Sequence, residues 1–259
     1  MSTIRDSLQY QQSPYTVTDH AAEADAILEA CGKKFPQLVP FLLEPSNLLA
    51  LGGLRGVSPY ANFGVHDKLA GSEEFQTLLR RYGIRLIREE RHYGKKTKEV
   101  VYMVVHTGAF EAVPDLYPAV KSWWEPKPHE YSYLHYLDWY TYNLAGCENE
   151  LENNRLPSGW LAEWWTPHNI CFGMLLGYPG VAICSLAAAD MANRRLGVPP
   201  EMGSANFKYP ANKGAALGYD LQMADSGSRQ IAAHQKRWQS FFDMLYEAWP
   251  EARVKQLLK

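Results

Sequence analysis

The strongest β pattern in the chain lies in residues 84–106, which read IRLIREERHYGKKTKEVVYMVVH. Two strands, Ile84 to His92 and Thr97 to His106, are predicted around a Tyr93-Gly94-Lys95-Lys96 turn, because runs rich in branched and aromatic residues flank a turn that contains glycine. The segment Val100 to Val105 is continuously apolar, which is typical of a central strand buried on both faces. The sequence therefore predicts an antiparallel hairpin over about 84–106, set in a small sheet.

Helical patterns occupy most of the remaining chain. The first helix is predicted to begin at Thr18 or Asp19, whose side chains can cap free amides, and to end at Cys31 before Gly32. Others are predicted over or within residues 72–82, 110–124, 130–145, 157–189 and 228–249, with a short helix after Pro250. Segment 45–66 is predicted to be loop-rich and without long helices, and segment 198–219 is predicted to be mostly irregular. The predicted fold class is therefore α+β: a helix-rich single globular domain, 1–259, around the small sheet.

The composition is that of an ordinary globular protein, with 46% hydrophobic and 21% charged residues. This is far from the composition of disordered chains and can supply a sizeable core. A formal net charge of −2 gives no general attraction to nucleic acid or to an anionic membrane. The basic residues between Arg88 and Lys98 alternate with glutamates, which is typical of a solvated hairpin tip. We therefore expect no nucleic-acid partner.

The sequence also favours a cytoplasmic location. No stretch reaches the roughly 18 apolar residues that cross a membrane, and the first fifteen residues lack the apolar core of a secretory signal. The four cysteines contain no C-x-x-C pair that would suggest zinc or a redox couple. We expect reduced thiols, with Cys171 and Cys184 buried and inert in apolar runs.

Aromatic residues are abundant: 8 Trp, 16 Tyr and 9 Phe make up 13% of the chain. Tyrosine and tryptophan combine an apolar body with a polar tip, which favours pocket walls and interfaces. The pairs Trp123-Trp124 and Trp164-Trp165 could wall a pocket for a flat cofactor such as flavin or haem. They could equally pack in the core, because neighbouring residues on a helix point to different faces. The sequence itself identifies no cofactor, which stays unknown.

The segment Thr166 to Gly180, TPHNICFGMLLGYPG, is the candidate functional centre. The usual motifs of nucleotide-binding loops, zinc proteases and serine hydrolases are absent from the chain. Thr166 can cap a helix whose first residue is Pro167, and Gly177 can end it. Pro179 can then open the next helix.

His168 lies in the first turn of this predicted helix. The positive end of the helix dipole there disfavours a charged imidazolium, so we expect a neutral ring. Such a ring could donate a hydrogen bond, act as a general base or bind a metal, or it could simply pack and bond to a backbone carbonyl. His168 is the candidate catalytic residue, and the candidate ligand-binding residues are Trp164, Trp165, Thr166, Asn169 and Tyr178.

The length of the predicted helix limits how these residues cooperate. The ten residues Pro167 to Leu176 span about 15 Å, so His168 and Tyr178 would lie at opposite ends. Either the two serve a long ligand, or one of them is structural. A tyrosine between glycine and proline is often a turn residue whose ring packs into the core.

The same segment resembles a bacterial family of unknown function whose two motifs are P-H-E and L-G-Y-P. Here they are Pro167-His168-Asn169 and Leu176-Gly177-Tyr178-Pro179, in the same order and with matching spacing. The resemblance covers mainly Thr166 to Gly180. Asn169 stands where the family has glutamate, so a role that needs a carboxylate is not implied. The family has no known activity, and the resemblance therefore implies no reaction.

A second candidate site lies at residues 129–138. His135 and Asp138 are three residues apart and share one face of a predicted helix, and His129 could fold back from the preceding linker. Two histidines and a carboxylate suit iron or another transition metal. Alternatively, these residues form a solvated polar stripe on a tyrosine-rich helix, so they are held as a fallback to His168.

Two functions of different classes are compatible with these patterns. The first is a small-molecule enzyme or ligand-binding protein whose pocket lies at the start of the 166–176 helix. The second is a protein-interaction adaptor that uses an aromatic surface and the C-terminal helix. A pocket converging on His168 would favour the first, and a flat exposed aromatic patch would favour the second.

Overall fold

A computed structural model describes residues 16–93, 97–112, 173, 175–179, 182, 202–206, 218–222 and 229–258. The described residues form an α+β fold with a helix-rich body and a small antiparallel sheet, which confirms the predicted fold class. The chain divides into two compact units. One comprises Met1–Gln12, Glu111–Ala205 and Tyr219–Ile231; the other comprises Ser13–Phe110, Asn206–Gly218 and Ala232–Lys259. That all 259 residues form a single domain stays a prediction.

Helices and strands are interspersed along the described parts of the chain. The helices are α1 (Val17–Lys34), α2 (Val39–Leu42), α3 (Pro45–Leu51), α4 (Asp67–Ala70), α5 (Glu73–Arg80), α6 (Thr107–Glu111), α7 (Arg229–Ala248) and α8 (Glu251–Leu257). Short 3-10 helices lie at Pro36–Leu38 and Gly64–His66. The strands are β1 (Val57–Ala61), β2 (Ile84–Tyr93), β3 (Thr97–His106), β4 (Met202–Asn206) and β5 (Gly218–Gln222).

The predicted hairpin is confirmed as strands β2 and β3. They pair antiparallel in an unbroken register from Ile84 opposite His106 to Tyr93 opposite Thr97. Strand β3 is central in the order β1-β3-β2, and its residues Val101 to Val105 are buried. The continuous apolar run is therefore explained by burial on both faces of the sheet.

Strand β1 lies in segment 45–66, which is predicted to be loop-rich, so this segment contains more regular structure than its sequence indicates. The strand pairs antiparallel with β3, with Val57 opposite Val105, and the register shifts between Ser58 and Ala61. Pro59 obscured the strand in the sequence, but proline is tolerated beside an irregular register on a strand paired along one edge. The segment also contains helix α3, whose first residue is Pro45.

Helix α1 is longer at both ends than predicted. Its N-cap is Thr16, and Asp19 instead completes a capping box: the Asp19 amide donates to the Thr16 hydroxyl at 3.2 Å, and the Thr16 amide donates to the Asp19 carboxylate at 2.8 Å. Gly32 does not end the helix, which continues to Lys34. A Cβ on Gly32 would lie in ordinary van der Waals contact with the C-terminal segment, 3.5 Å from Leu257 and 3.6 Å from Trp249, so α1 packs against that segment at this position.

The core of the larger described unit is strongly aromatic. Phe35 meets Phe75 edge to face with ring centroids 5.1 Å apart, and Phe63 meets Tyr102 in the same way at 5.3 Å.

Helix α7, predicted at 228–249, is confirmed. The large apolar residues on its buried side are Trp238, Phe241, Phe242 and Leu245, followed by the buried Trp249 beyond its end.

The short helix α8, predicted after Pro250, is also confirmed. Polar contacts hold this last part of the chain against α1. The indole N–H of Trp249, in the connection that precedes α8, donates to Asp25 at 2.7 Å. The Arg253 guanidinium lies 3.8 Å from the centroid of the Trp249 ring and pairs with Glu29. These contacts bring the end of the chain against its first described helix.

The remaining described elements refine two further predictions. Strands β4 and β5 pair with each other, so segment 198–219 is less irregular than predicted. They were missed because MGSAN and GYDLQ contain no β-branched residues and no clear alternation. Helix α6 begins at Thr107 rather than Phe110 and ends at Glu111, ahead of Pro114. In the part of the chain covered by these elements, no helix combines the length and apolar character of a membrane span.

Candidate functional site

The C-terminal end of the candidate segment has the geometry that its sequence predicts. Leu175 is helical, and Gly177 has a φ of 71°, in the left-handed region that favours glycine. The Tyr178 amide donates to the Gly173 carbonyl at 3.0 Å, which is the long hydrogen bond of a Schellman helix end. The predicted end of the helix at Gly177 is therefore confirmed.

The next helical turn begins at Pro179, as predicted. The Ala182 amide donates to the Pro179 carbonyl at 2.9 Å, and Ala182 is helical. Proline suits this position because its fixed φ matches a helix start and its missing N–H would have no helical partner there. Both Pro179 and Ala182 are buried.

Tyr178 is the one candidate site residue of this segment that lies among the described residues. It is half-buried, and its backbone belongs to the helix end just described. The other candidates, His168, Trp164, Trp165, Thr166 and Asn169, lie outside the described residues, as do His129, His135 and Asp138. No distance therefore joins Tyr178 to another candidate, and their proposed roles stay predictions.

Replacing Gly177 by valine is expected to destabilise the protein by more than about 1 kcal/mol, because a β-branched residue does not easily adopt a φ of 71°. Gly177→Asn is the matched control, because asparagine tolerates the left-handed conformation and should lose clearly less stability. Urea denaturation midpoints measure both. An unchanged midpoint for the valine variant, or equal losses in the two variants, would contradict this role of Gly177.

A polar site that the sequence did not suggest surrounds the Gly52-Gly53 turn at the end of α3, away from the candidate segment in the sequence. We call it the histidine cluster: His20 and Glu23 from α1, His106 from the end of β3, and Arg237 from α7. His20 is buried, with 5% of its surface exposed. Elements far apart in the sequence therefore bring two histidines, an acid and a guanidinium to one turn.

The hydrogen bonds of His20 define its tautomer. Its Nδ1 lies 2.5 Å from the Gly52 carbonyl, which can only accept, so this nitrogen carries the proton. Its Nε2 lies 3.0 Å from Nη2 of Arg237, which can only donate, so this nitrogen accepts. Burial lowers the pKa of His20 below its ordinary value. The geometry and the burial both correspond to a neutral ring.

His106 is held by a different set of bonds. The Ala109 amide donates to Nδ1 at 3.0 Å, so the imidazole caps helix α6, while Nε2 lies 3.1 Å from the Glu23 carboxylate. Gly53, with a φ of 68°, faces the ring, and a Cβ there would lie 3.1 Å from Nε2. Because both ring nitrogens are engaged, this arrangement serves to hold the turn rather than to offer a base to a substrate.

A buried polar network adjoins the same region. Arg55 is 3% exposed, its Nη1 donates to the Ser46 hydroxyl at 3.0 Å, and its guanidinium lies 4.7 Å from the centroid of the Trp238 ring. The Ser58 hydroxyl donates to the Asn47 amide oxygen at 2.7 Å, and Asn47 donates to a backbone carbonyl. These hydrogen bonds join α3 to α2 and β1, and the contact of the Arg55 guanidinium with the Trp238 ring adds α7.

Neither the histidine cluster nor the network around Arg55 has the arrangement of a metal centre. Among the residues that the structure describes, no three His, Cys, Asp or Glu side chains are grouped so that they could hold a metal ion. Burial raises the pKa of the Cys31 thiol to about 12, which makes this cysteine an unreactive core residue. Hydrogen bonds between polar side chains and backbone groups hold both of these sites together.

The only local signal for the histidine cluster was the spacing of His20 and Glu23, which places them one turn apart on α1. Comparison of the chain with protein-family models, with curated proteins and with solved structures finds no match in any of the three.

Proposed function

We propose that the protein is a cytoplasmic small-molecule enzyme or ligand-binding protein whose pocket lies at the start of the helix predicted over 166–176. In this proposal His168 is the main polar group that contacts the ligand. Trp164, Trp165, Thr166 and Asn169 line the pocket around it. Tyr178 either contacts the far end of a long ligand or packs structurally.

The observation that carries the proposal is the helix end at Gly177. The same sequence features that predict a helix start at Thr166 and Pro167 predict an end at Gly177, and the φ of 71° and the bond from Tyr178 to Gly173 agree with that end. A helix of this length leaves His168 in the first turn, where free amides and the helix dipole favour a neutral imidazole. This is the setting in which a histidine can accept a proton or orient a ligand.

The adaptor alternative is less well supported by the described residues. Its C-terminal helix α7 would have to present apolar side chains to a partner. Instead, its large apolar residues Trp238, Phe241, Phe242 and Leu245 are buried in the fold. Met244, which is 40% exposed, is a single apolar side chain of the kind that surfaces ordinarily carry.

The experiment that tests the proposal is an absorbance spectrum, a metal analysis and mass spectrometry of small molecules released from protein purified from its native host. We expect a defined small molecule, with or without a chromophore or metal, in near-stoichiometric amount. A preparation that releases no such compound, and instead co-purifies with a stoichiometric protein partner, would contradict the proposal and favour the adaptor.

A further inference from the structure

The hydrogen bond between His20 and Arg237 joins two helices that are distant in the sequence. His20 lies in the first turn of α1, and Arg237 lies in the middle of α7. Their ring and guanidinium nitrogens are 3.0 Å apart. The other nitrogen of His20 donates to the Gly52 carbonyl at 2.5 Å, so the same ring also holds the end of α3.

This bond exists only while His20 is neutral. The Nε2 atom accepts the hydrogen bond through a lone pair, and a proton there would occupy that lone pair. Arginine cannot release its own proton at any ordinary pH, so protonation would place two cations about 3 Å apart. His20 is buried and Arg237 is half-buried, so water screens such a like-charge contact only in part and the contact is unfavourable.

The charged and titratable groups around the ring have opposing effects. Asp19 and Glu23 approach from its own helix α1, His106 from the end of β3, and Arg237 from α7. Glu23 raises the pKa of His20, whereas Arg237 and His106 lower it. Burial is the largest influence on the pKa of His20 and lowers it, and the hydrogen bond to Gly52 opposes burial without reversing the net shift.

We propose that the contact between His20 and Arg237 is an acid-sensitive latch, by which we mean a bond that holds α7 to α1 at neutral pH and opens when His20 binds a proton. Opening removes the hydrogen bond from Arg237 and creates repulsion at the Gly52-Gly53 turn. The conformational response is a loosening of α7 from α1 in weakly acidic solution.

The direction of the pH effect follows from linkage. The pKa of His20 is lower in the folded protein than its ordinary value of 6.5, so the unfolded chain binds the proton more tightly. The stabilisation by neutral His20 is fully present above about pH 6.5. It is lost as the pH falls from there toward the folded-state value, because unfolding then takes up a proton.

The test is urea denaturation between pH 8 and pH 5 for the wild type, His20→Gln and His66→Gln. A glutamine amide can donate to the Gly52 carbonyl and accept from Arg237, but it does not titrate. His66, a half-exposed histidine whose ring meets Phe41 edge-on, provides the control for losing one histidine. All three proteins keep residues 166–180 unchanged.

We expect the wild type and His66→Gln to lose stability in parallel below pH 6.5, and His20→Gln to lose much less. One coupled proton changes the unfolding equilibrium constant by up to about tenfold per pH unit, and this is the greatest difference expected between the slopes. Parallel losses in wild type and His20→Gln, or a wild-type midpoint that does not fall, would overturn the latch.

A spectroscopic readout keeps the proposal testable if His20→Gln does not fold. Long-range proton–nitrogen NMR of the wild type at pH 7.5 reports the tautomer of each imidazole. We expect a protonated Nδ1 and an unprotonated Nε2 for His20, and replacement of that signal by an imidazolium as the pH falls. A protonated Nε2 or an imidazolium for His20 at pH 7.5 would overturn the latch.

Discussion

Replacing Gly52 by alanine is expected to destabilise the protein by about 3 kcal/mol, at the upper end of the range for overpacking a core. A Cβ at Gly52 would lie 2.6 Å from Cε2 of Phe241 and 2.8 Å from the carbonyl oxygen of His20. Phe241 is fully buried, and the carbonyl belongs to the backbone of α1. Neither neighbour can move away without disturbing a helix. The added methyl group would therefore strain the contacts of this turn with Phe241 and with the backbone of α1.

The matched control for this prediction is Gly64→Ala. Gly64 has a φ of 54°, and a Cβ there would meet nothing within 4 Å. Its substitution should therefore lose only the backbone preference, about 1 kcal/mol. Gly52 has an ordinary φ of −83°, so its loss would be entirely steric. Equal urea midpoints for the two variants would contradict the steric role of Gly52.

The hairpin and the long C-terminal helix could be predicted because their signals are local. The turn predicted at residues 93–96 separates two runs of β-forming residues, and α7 carries its apolar residues at helical spacing. In both elements the apolar residues that the local sequence pattern places on one side are the residues that the fold buries. Where the local pattern and the tertiary packing agree in this way, the local pattern is enough to predict the element.

Other features depend on distant contacts that no local pattern reveals. Gly32 resembles a helix end in the sequence, but α1 continues to Lys34, and at Gly32 it packs against Leu257 and Trp249 from the end of the chain. Strand β1 contains Pro59 and is stabilised by pairing with β3, which follows much later in the chain. In both cases tertiary packing outweighs the local preference.

The candidate sites divide in the same way. The helix end at Gly177 could be predicted because a glycine followed by Tyr178 and Pro179 has its own backbone chemistry. The histidine cluster could not, because His20, His106 and Arg237 come from three elements whose meeting depends on the whole fold. The hydrogen bonds that define the tautomer of His20 are equally invisible in the sequence.

Replacing His168 by alanine is expected to abolish the binding of the native ligand while leaving the fold nearly intact. Thr166 and Pro167 can start the helix without the imidazole, so this side chain is available for function rather than needed for structure. We expect about a hundredfold weaker association or more, which is near the upper end of the roughly 1–3 kcal/mol that losing a hydrogen bond to a ligand in a desolvated site costs. The melting temperature should change by no more than about 2 °C.

The most direct measurement compares the wild type, His168→Ala and the control His66→Ala after purification from the native host. Mass spectrometry and metal analysis quantify the compounds released when each protein is denatured, and a thermal melt checks each fold. We predict one compound in near-stoichiometric amount from the wild type and His66→Ala, and at most about a tenth of it from a folded His168→Ala. Equal release from all three proteins, no compound from the wild type, or a His168→Ala protein that has lost several kcal/mol of stability would contradict the proposed site.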